Sequence, residues 1–482
     1  MKRIVNERKF LLLGIAVLVG ALFADKNAPW LLPLPLALFA GCAIAERKPL
    51  LLALCLLLFS LGFTHLTLKT NEFSSRAFSE GRYEMIGVVE ESGRGSVRIG
   101  SLRLNGDRAD GNAILFLSES ERLTVGDEIA CVAVLEEREH FSLYSDLSDH
   151  VKYSLSAERA EVTGISVSPF LLAKRAIYVA LFSCMEEEPA AVSYALLTGS
   201  TSFVERDTLS AVRYGGIAHI FAVSGLHIGI LYGGLTAIAG LLPVQRRRRV
   251  WVVLPVLFLY TGMCGFTSSA MRAFCMCAAS GFSRAVGRKY DLLEGLGLAA
   301  LIVLLLRPEE AFLLGFRLSF LACAGIALFA RLFSIPTLWK SLTASVAGVF
   351  SAQVATFPVL IDAFGYVSGA SVLLNLVFVP FLAPLMAFLL IGIPLSYLSP
   401  IFLFPAEGLV RLFLWGITAA DFSPFLIEGF SFGGVSALYY AALLFASDLF
   451  RLKRSFRAVG LILCMTATVA LVTIKTLYGS AI

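Results

Sequence analysis

The residues best suited to chemistry lie in one otherwise apolar segment, Gly215-Gly216-Ile217-Ala218-His219-Ile220-Phe221-Ala222-Val223-Ser224-Gly225-Leu226-His227-Ile228-Gly229-Ile230. Two imidazoles and a hydroxyl at membrane depth are costly, and such groups face a bundle interior or water. On one continuous helix Ser224 and His227 share a face, and His219 lies about 80° round from His227. The arrangement suits helix packing, a wet path through the bundle, or an intramembrane serine hydrolase using Ser224 with His227 or His219. The hydrolase needs nucleophile and base within about 2.6–3.2 Å. An i, i+3 pair inside a helix seldom gives that, and Ala222-Val223-Ser224-Gly225 is not a GxSxG elbow. His219 and His227 have no carboxylate nearby, so no metal site is expected. No GxxxxGK[ST] string occurs, so the chain itself supplies no ATPase. No cofactor is expected.

Four more polar residues interrupt apolar runs. Arg272 lies in Thr267-Ser268-Ser269-Ala270-Met271-Arg272, and Arg317 in Gly315-Phe316-Arg317-Leu318-Ser319-Phe320. Gln353 lies in Ser351-Ala352-Gln353-Val354-Ala355-Thr356, and Asn375 closes Val372-Leu373-Leu374-Asn375. Each alone has a structural use: Arg snorkels, and Gln or Asn bonds one partner helix.

The elements that carry these residues are set by composition. The chain has 482 residues, 57% hydrophobic and 16% charged, with a mean hydropathy of +0.80. A soluble domain would be nearer 25% charged. Disorder, a secreted disulfide scaffold and an ordinary cytosolic enzyme are excluded. Seven of the nine cysteines sit in apolar runs, where a thiol acts as a small hydrophobe. Cys131 and Cys184 are the one candidate pair.

Apolar runs of spanning length occur at 10–24, 30–45, 49–68, 217–242, 250–266, 268–286, 291–306, 311–333, 340–361, 366–396, 400–420, 433–450 and 458–477. The fold class expected is an α-helical polytopic membrane protein of about 12–13 spans with a small extracytoplasmic β-barrel (OB-like) insert. Its parts are N-terminal membrane helices (1–68), the OB-like β domain (69–165), amphipathic or interfacial helices (166–216) and a transmembrane channel domain (217–482). Gly369, Pro380, Pro384 and Pro394 suggest that 366–396 is broken or re-entrant.

Basic residues in short loops stay inside. With Lys2, Arg3, Arg8 and Lys9 inside, alternate loops carry nineteen Lys and Arg inside against three outside, Lys26, Arg307 and Lys475. The insert and the C-terminus then fall outside. Residues 1–24 have the pattern of a cleavable signal peptide, but the closely following spans favour an uncleaved anchor. At 1.5 Å per residue, Ser224, Arg272, Arg317, Gln353 and Asn375 all fall roughly 6–15 Å below the outer boundary. Independent snorkelling would scatter them to both faces, whereas a polar vestibule open to the outside gathers them. Two guanidiniums there suit a phosphate-bearing ligand.

The insert alternates short apolar and polar stretches between glycine turns, as small barrels do. OB barrels often bind single-stranded nucleic acid. Residues 70–165 nevertheless carry 10 Arg and Lys against 18 Asp and Glu. This net −8 favours a scaffold or gating role, although Arg94, Arg98, Arg103 and Arg108 form a possible basic stripe.

These motifs carry a resemblance. Ala195-Leu196-Leu197-Thr198-Gly199 with Ala218-His219-Ile220-Phe221-Ala222-Val223-Ser224-Gly225-Leu226-His227, then Gly315-Phe316-Arg317-Leu318-Ser319-Phe320-Leu321-Ala322 and Ala352-Gln353-Val354-Ala355-Thr356-Phe357-Pro358, resembles the ComEC competence channel family. The likeness covers about residues 190–385. It implies passage of single-stranded DNA across the bacterial inner membrane during transformation. His219, Ser224, His227, Arg272, Arg317, Gln353 and Asn375 would line the path. Membrane lipid, a cytoplasmic ATPase motor and an extracytoplasmic DNA receptor are the implied partners. Arg317 stands where the family usually has Gln. Many members continue into a metallo-β-lactamase-like domain; this sequence has no HxHxDH, so strand degradation would need a separate nuclease.

Overall fold

A computed structural model describes residues 8–26, 49–74, 77–93, 96–117, 123–136, 143–241, 247–333, 340–419, 426–428 and 436–447, with isolated positions besides. The expected spans at 30–45 and 458–477 lie outside the described residues, as do Cys42, Cys464, Arg94 and Arg246.

The chain begins with two apolar helices, α1 (Lys9–Lys26) and α2 (Pro49–Ser74). Small residues let their backbones touch. A Cβ at Gly20 would lie 2.1 Å from the Phe59 carbonyl oxygen, and one at Gly62 2.6 Å from that of Val17. Close approach of this kind is what joins apolar helices where lipid offers no hydrophobic contrast.

Strands follow: β1 (Gly81–Ser92), β2 (Ser96–Leu104), β3 (Asp107–Arg108), β4 (Asn112–Leu117) and β5 (Asp127–Glu136). A short helix α3 (Leu143–Asp149) leads to β6 (Val151–Ala157) and β7 (Glu161–Ile165). β1 pairs antiparallel with both β2 and β5. β2 pairs with β4, β4 with β6 in parallel, and β6 with β5. Five strands thus close into a barrel, which leaves them no free edge. Met85, Val89, Val97, Ile99, Leu104, Leu115, Ile129, Leu135 and Leu155 fill its interior. The period-2 pattern put those side chains inward. The turn before β5 is built by Asp127, whose carboxylate accepts from the Thr124 amide and hydroxyl, each at 2.8 Å.

The helical part comprises α4 (Pro169–Cys184), α5 (Glu187–Thr198), α6 (Arg206–Tyr214), α7 (Gly225–Leu241), α8 (Arg249–Met263), α9 (Ser268–Val286), α10 (Leu292–Leu306), α11 (Leu314–Phe333) and α12 (Lys340–Phe364). Then come β8 (Tyr366–Ser368), α13 (Ser371–Ser396), α14 (Phe404–Thr418), β9 (Leu426–Glu428), which pairs with β8, and α15 (Ser436–Ala446). Single 3-10 turns stand at Ala218–Ile220 and Pro308–Phe312. Helix α5 lies at the centre, buried from Pro189 to Thr198, in one core with α13 and α14. α10 crosses α1 closely; a Cβ at Gly297 would lie 2.3 Å from the Leu11 Cα.

Several expectations need correction. The run 217–242 is not one helix: helix begins only at Gly225, so the angular argument for Ser224 and His219 fails. The run 366–396 is interrupted only at its start, where strand β8 precedes the helix; from Ser371 on, α13 is one unbroken 26-residue helix, about 39 Å long. Pro380, Pro384 and Pro394 are all exposed, so their rings lie away from the packed core. Four helices among the described residues are long and apolar enough to cross a membrane: Leu50–Ser74, Val346–Phe364, Ser371–Ser396 and Pro400–Thr418. Five more apolar helices are shorter, Lys9–Ala24, Gly225–Leu241, Arg249–Met263, Leu292–Leu306 and Leu314–Ala330. Polar turns such as Ser224-Gly225 and Gly265-Phe266-Thr267, with φ +75° at Gly265 and +52° at Phe266, cut apolar runs short. Pairing of Cys131 with Cys184, the less favoured reading of the sequence, is absent, and both are free thiols. Arg98 does not join a basic stripe, because Glu90, Glu91 and Asp149 surround it.

Candidate functional site

The break before α7 positions the first group. Gly216 has φ +70°, and a Cβ there would lie 2.4 Å from the Ser371 Cβ. Glycine therefore lets this loop meet the start of α13. The chain passes through the 3-10 turn, with Ile220 and Phe221 buried and His219 exposed. It then enters α7 at Ser224.

Ser224 is the cap of α7. Its hydroxyl oxygen accepts from the Leu226 amide at 3.2 Å, and its carbonyl from the Ile228 amide at 3.3 Å. The Ser224 amide donates to His227 Nδ1 at 3.3 Å, and Ser224 Oγ lies 3.0 Å from the same nitrogen. This is a reciprocal cap, with histidine at the position where a capping box has Glu or Gln. Nδ1 accepts, which leaves the ring proton of the neutral imidazole on Nε2. His227 is wholly buried, and its Nε2 has no hydrogen-bond partner among the described residues.

Arg272 reaches the same place from α9. A Cβ at Gly225 would lie 2.5 Å from Arg272 Nη2, so glycine makes room for the guanidinium over the first turn of α7. Nη1 donates to the Ser319 carbonyl at 2.9 Å and to Cys323 Sγ, both on α11. The guanidinium carbon stands 5.9 Å from the centre of the Phe320 ring, within cation–π reach. Nε is buried without a partner among the described residues.

Gln353 and Asn375 form a second group. Gln353 on α12 donates to Ser371 Oγ at 2.9 Å. Asn375 on α13 donates to the Ser371 carbonyl at 2.7 Å and reaches the Gly216 carbonyl at 3.5 Å. Residues 217–223, with His219, run between this group and Ser224. Arg317 stands apart: it is exposed at the start of α11, and its Nε donates to the Ala311 carbonyl at 3.2 Å. The structure thus joins Ser224, His227 and Arg272, and separately Gln353 and Asn375.

Sequence reasoning missed four partners. Gly225 and Gly216 are approach points that only tertiary contact reveals. Ser319 and Ser371 act on side chains from other helices. Glu309 and Glu310 were overlooked as well, although two acids between apolar runs are a signal in themselves.

The free amides and positive dipole end of α7, with a guanidinium over them, make a locus that favours an anion. No grouping among the described residues is suited to a metal ion.

The protein is mostly helical, with helices long and apolar enough to cross a membrane, polar groups gathered among them and a five-stranded barrel beside them. A family model described as competence protein matches residues 196–453, more than half the chain, and the chain belongs to that family. The ComE operon protein 3 of Bacillus subtilis (strain 168) is 30% identical over 200 residues, 41% of this chain and 25% of that protein. An uncharacterized protein, the MG316 homolog of Mycoplasma pneumoniae (strain ATCC 29342 / M129 / Subtype 1), is 31% identical over 171 residues, 34% of this chain and 41% of that protein. The chain thus spans less than half of either relative. No solved structure matches it.

Proposed function

We propose that the protein is a multi-pass channel of the bacterial inner membrane that takes up single-stranded DNA during natural transformation. The N-terminus is cytoplasmic, and the barrel, read as OB-like, stands outside. His219, Ser224, His227, Arg272, Arg317, Gln353 and Asn375 line the path. The observation that carries this reading is Arg272, buried among apolar helices yet seated over the amino end of α7. A buried guanidinium whose Nε lacks a partner among the described residues has capacity left for a phosphate oxygen. Family membership supplies the polymer to which that phosphate belongs. A cytoplasmic ATPase motor and an extracytoplasmic DNA receptor complete the system. The basic loop Arg246 to Arg249 serves first as the inside-facing topology signal, and on this reading it also offers a place for the motor or for DNA phosphates.

Contacts between loops support the topology. Arg8 pairs with Asp291 at 3.0 Å at one end of the bundle. Lys69 pairs with Glu309 at 2.7 Å at the other, beside the barrel. Both pairs join loops that charge counting places on one side.

Arg272→Ala and Arg317→Ala should each lower DNA uptake, by about tenfold to a hundredfold if a charged hydrogen bond is lost, with the protein still in the membrane. Normal uptake in both would refute the path.

The 3.0 Å contact of Ser224 with His227 favours one other reading, the serine hydrolase. It is the weaker, because the same atoms are engaged in capping and no described carboxylate orients the ring. Labelling of Ser224 by a fluorophosphonate, lost in Ser224→Ala, would reinstate it.

A further inference from the structure

Glu309 and Glu310, in the 3-10 turn between α10 and α11, are 0% and 3% exposed. A buried carboxylate is tolerated only where partners replace its water. Glu310 finds them in three directions. Ser148, on helix α3 of the barrel domain, donates to it at 3.0 Å. The side chain of Ser268, the first residue of α9, stands beside the same carboxylate. Arg307 stands 3.6 Å away. Glu309 meanwhile holds Lys69 from the end of α2. Tyr144 of α3 stacks on Phe312 of the same turn, with ring centres 4.2 Å apart.

Both guanidiniums lie one step from this joint. Arg272 is one helical turn beyond Ser268 on the same face. The Ser319 carbonyl that holds it belongs to a residue whose hydroxyl lies 2.9 Å from that of Ser269. Arg317 bonds to the carbonyl of Ala311, the residue after Glu310.

We propose that Glu310 is a positioning residue that ties the barrel domain to α9 and α11 at once, so that docking of the barrel sets where Arg272 and Arg317 stand. The proposal rests on the DNA path for its consequence, but its geometry stands apart from it. An apolar side chain of similar volume would fill the space at no greater cost. What it could not do is reach a serine on each of two domains.

The test uses the full chain in its membrane. Glu310→Ala should lower uptake about twofold to thirtyfold, the span of such couplings. It should add nothing in an Arg317→Ala background. Glu310→Gln still accepts from Ser148 and should recover most of the loss. Ser148→Ala should be silent once Glu310→Ala is present. A second measurement makes no use of DNA. In an Arg317→Cys chain, maleimide modification at position 317, read by mass spectrometry, should change severalfold on adding Glu310→Ala. It should not change on adding Asp107→Ala, a distant exposed barrel residue. Should Glu310→Ala fail to reach the membrane, Glu310→Gln and Ser148→Ala carry both measurements. Additive uptake losses together with an unchanged maleimide rate would overturn the proposal. Normal uptake in Arg272→Ala and Arg317→Ala would instead overturn the DNA path, and the maleimide rate would still judge Glu310.

Discussion

At the scale of single residues, Ser224 has one observed duty and one proposed duty that substitution can separate. As the cap of α7 it satisfies amides that the helix leaves free; on the proposed function it also presents a neutral polar surface to the path. Ser224→Ala should cost about 1 kcal/mol of stability, measured by thermal unfolding of the detergent-solubilised protein. Ser224→Asp should keep the cap, since aspartate serves there as well as serine. It would also place a carboxylate beside Arg272 and in the way of a polyanion. The aspartate variant is therefore expected to be as stable as the parent and deficient in uptake. Normal uptake by a well-folded Ser224→Asp protein would remove Ser224 from the path. The spacing of Ser224 and His227 was legible in the sequence. Their 3.0 Å contact was not, because a helix-wide periodicity argues against it and hides a cap. Ser224-Gly225-Leu226-His227 has the serine and spacing of a start signal, and Gly215-Gly216 marks the break before it.

At the scale of elements, the barrel strands were legible because period-2 alternation survives in a small closed sheet. Barrel closure and the helix α3 were not, since pairing of β1 with β5 joins residues some fifty positions apart. Eleven of the thirteen expected apolar runs carry a helix among the described residues, but the helix lengths were not legible. Long apolar runs conceal the turns that end them, and Pro380 and Pro384 looked like breaks although both face outward. One electrostatic link fixes the barrel against α2. Lys152 pairs with Asp110 at 2.6 Å and donates to the Glu72 carbonyl at 3.2 Å, and Tyr153 donates to the same aspartate. Burial works against ionisation of Asp110, but the Lys152 and Tyr153 hydrogen bonds outweigh it and hold its carboxyl below the usual range. Burial and the Asp110 carboxylate together push the Tyr153 phenol up to about 12. A carboxyl lowered by folding contributes stability above its unfolded pKa, and that contribution is lost as pH falls through the folded value. Asp110→Asn should therefore loosen strands β4 and β6 at neutral pH, seen as faster amide exchange in the full chain. The difference from the parent should narrow below about pH 4, where the parent loses the same charge. A difference that persists undiminished in acid would show that the carboxylate charge is not what holds the joint.

At the scale of the whole molecule, charge sorts the chain into ends. The barrel segment 70–165 is net −8, while the chain as a whole is +5, so the helical part carries the positive excess. If the proposed conduit is right and the barrel stands outside it, so acidic a domain does not concentrate DNA by field alone. This suits a barrel that positions the mouth through Glu310 more than one that binds DNA strongly. Sidedness then becomes the deciding property. Asp107 is exposed at the tip of the barrel, and Arg247 is exposed in the loop between α7 and α8. If the barrel stands outside and that loop inside, a membrane-impermeant maleimide applied to cells should modify Asp107→Cys. It should reach Arg247→Cys only after the membrane is opened. Modification can be read at each position by mass spectrometry, which leaves the native cysteines in place. Labelling of Arg247→Cys in intact cells, with Asp107→Cys protected, would invert the topology. The amino end of α7 would then open to the cytoplasm, and Arg272 would meet the strand on its way out of the bundle rather than at its first constriction.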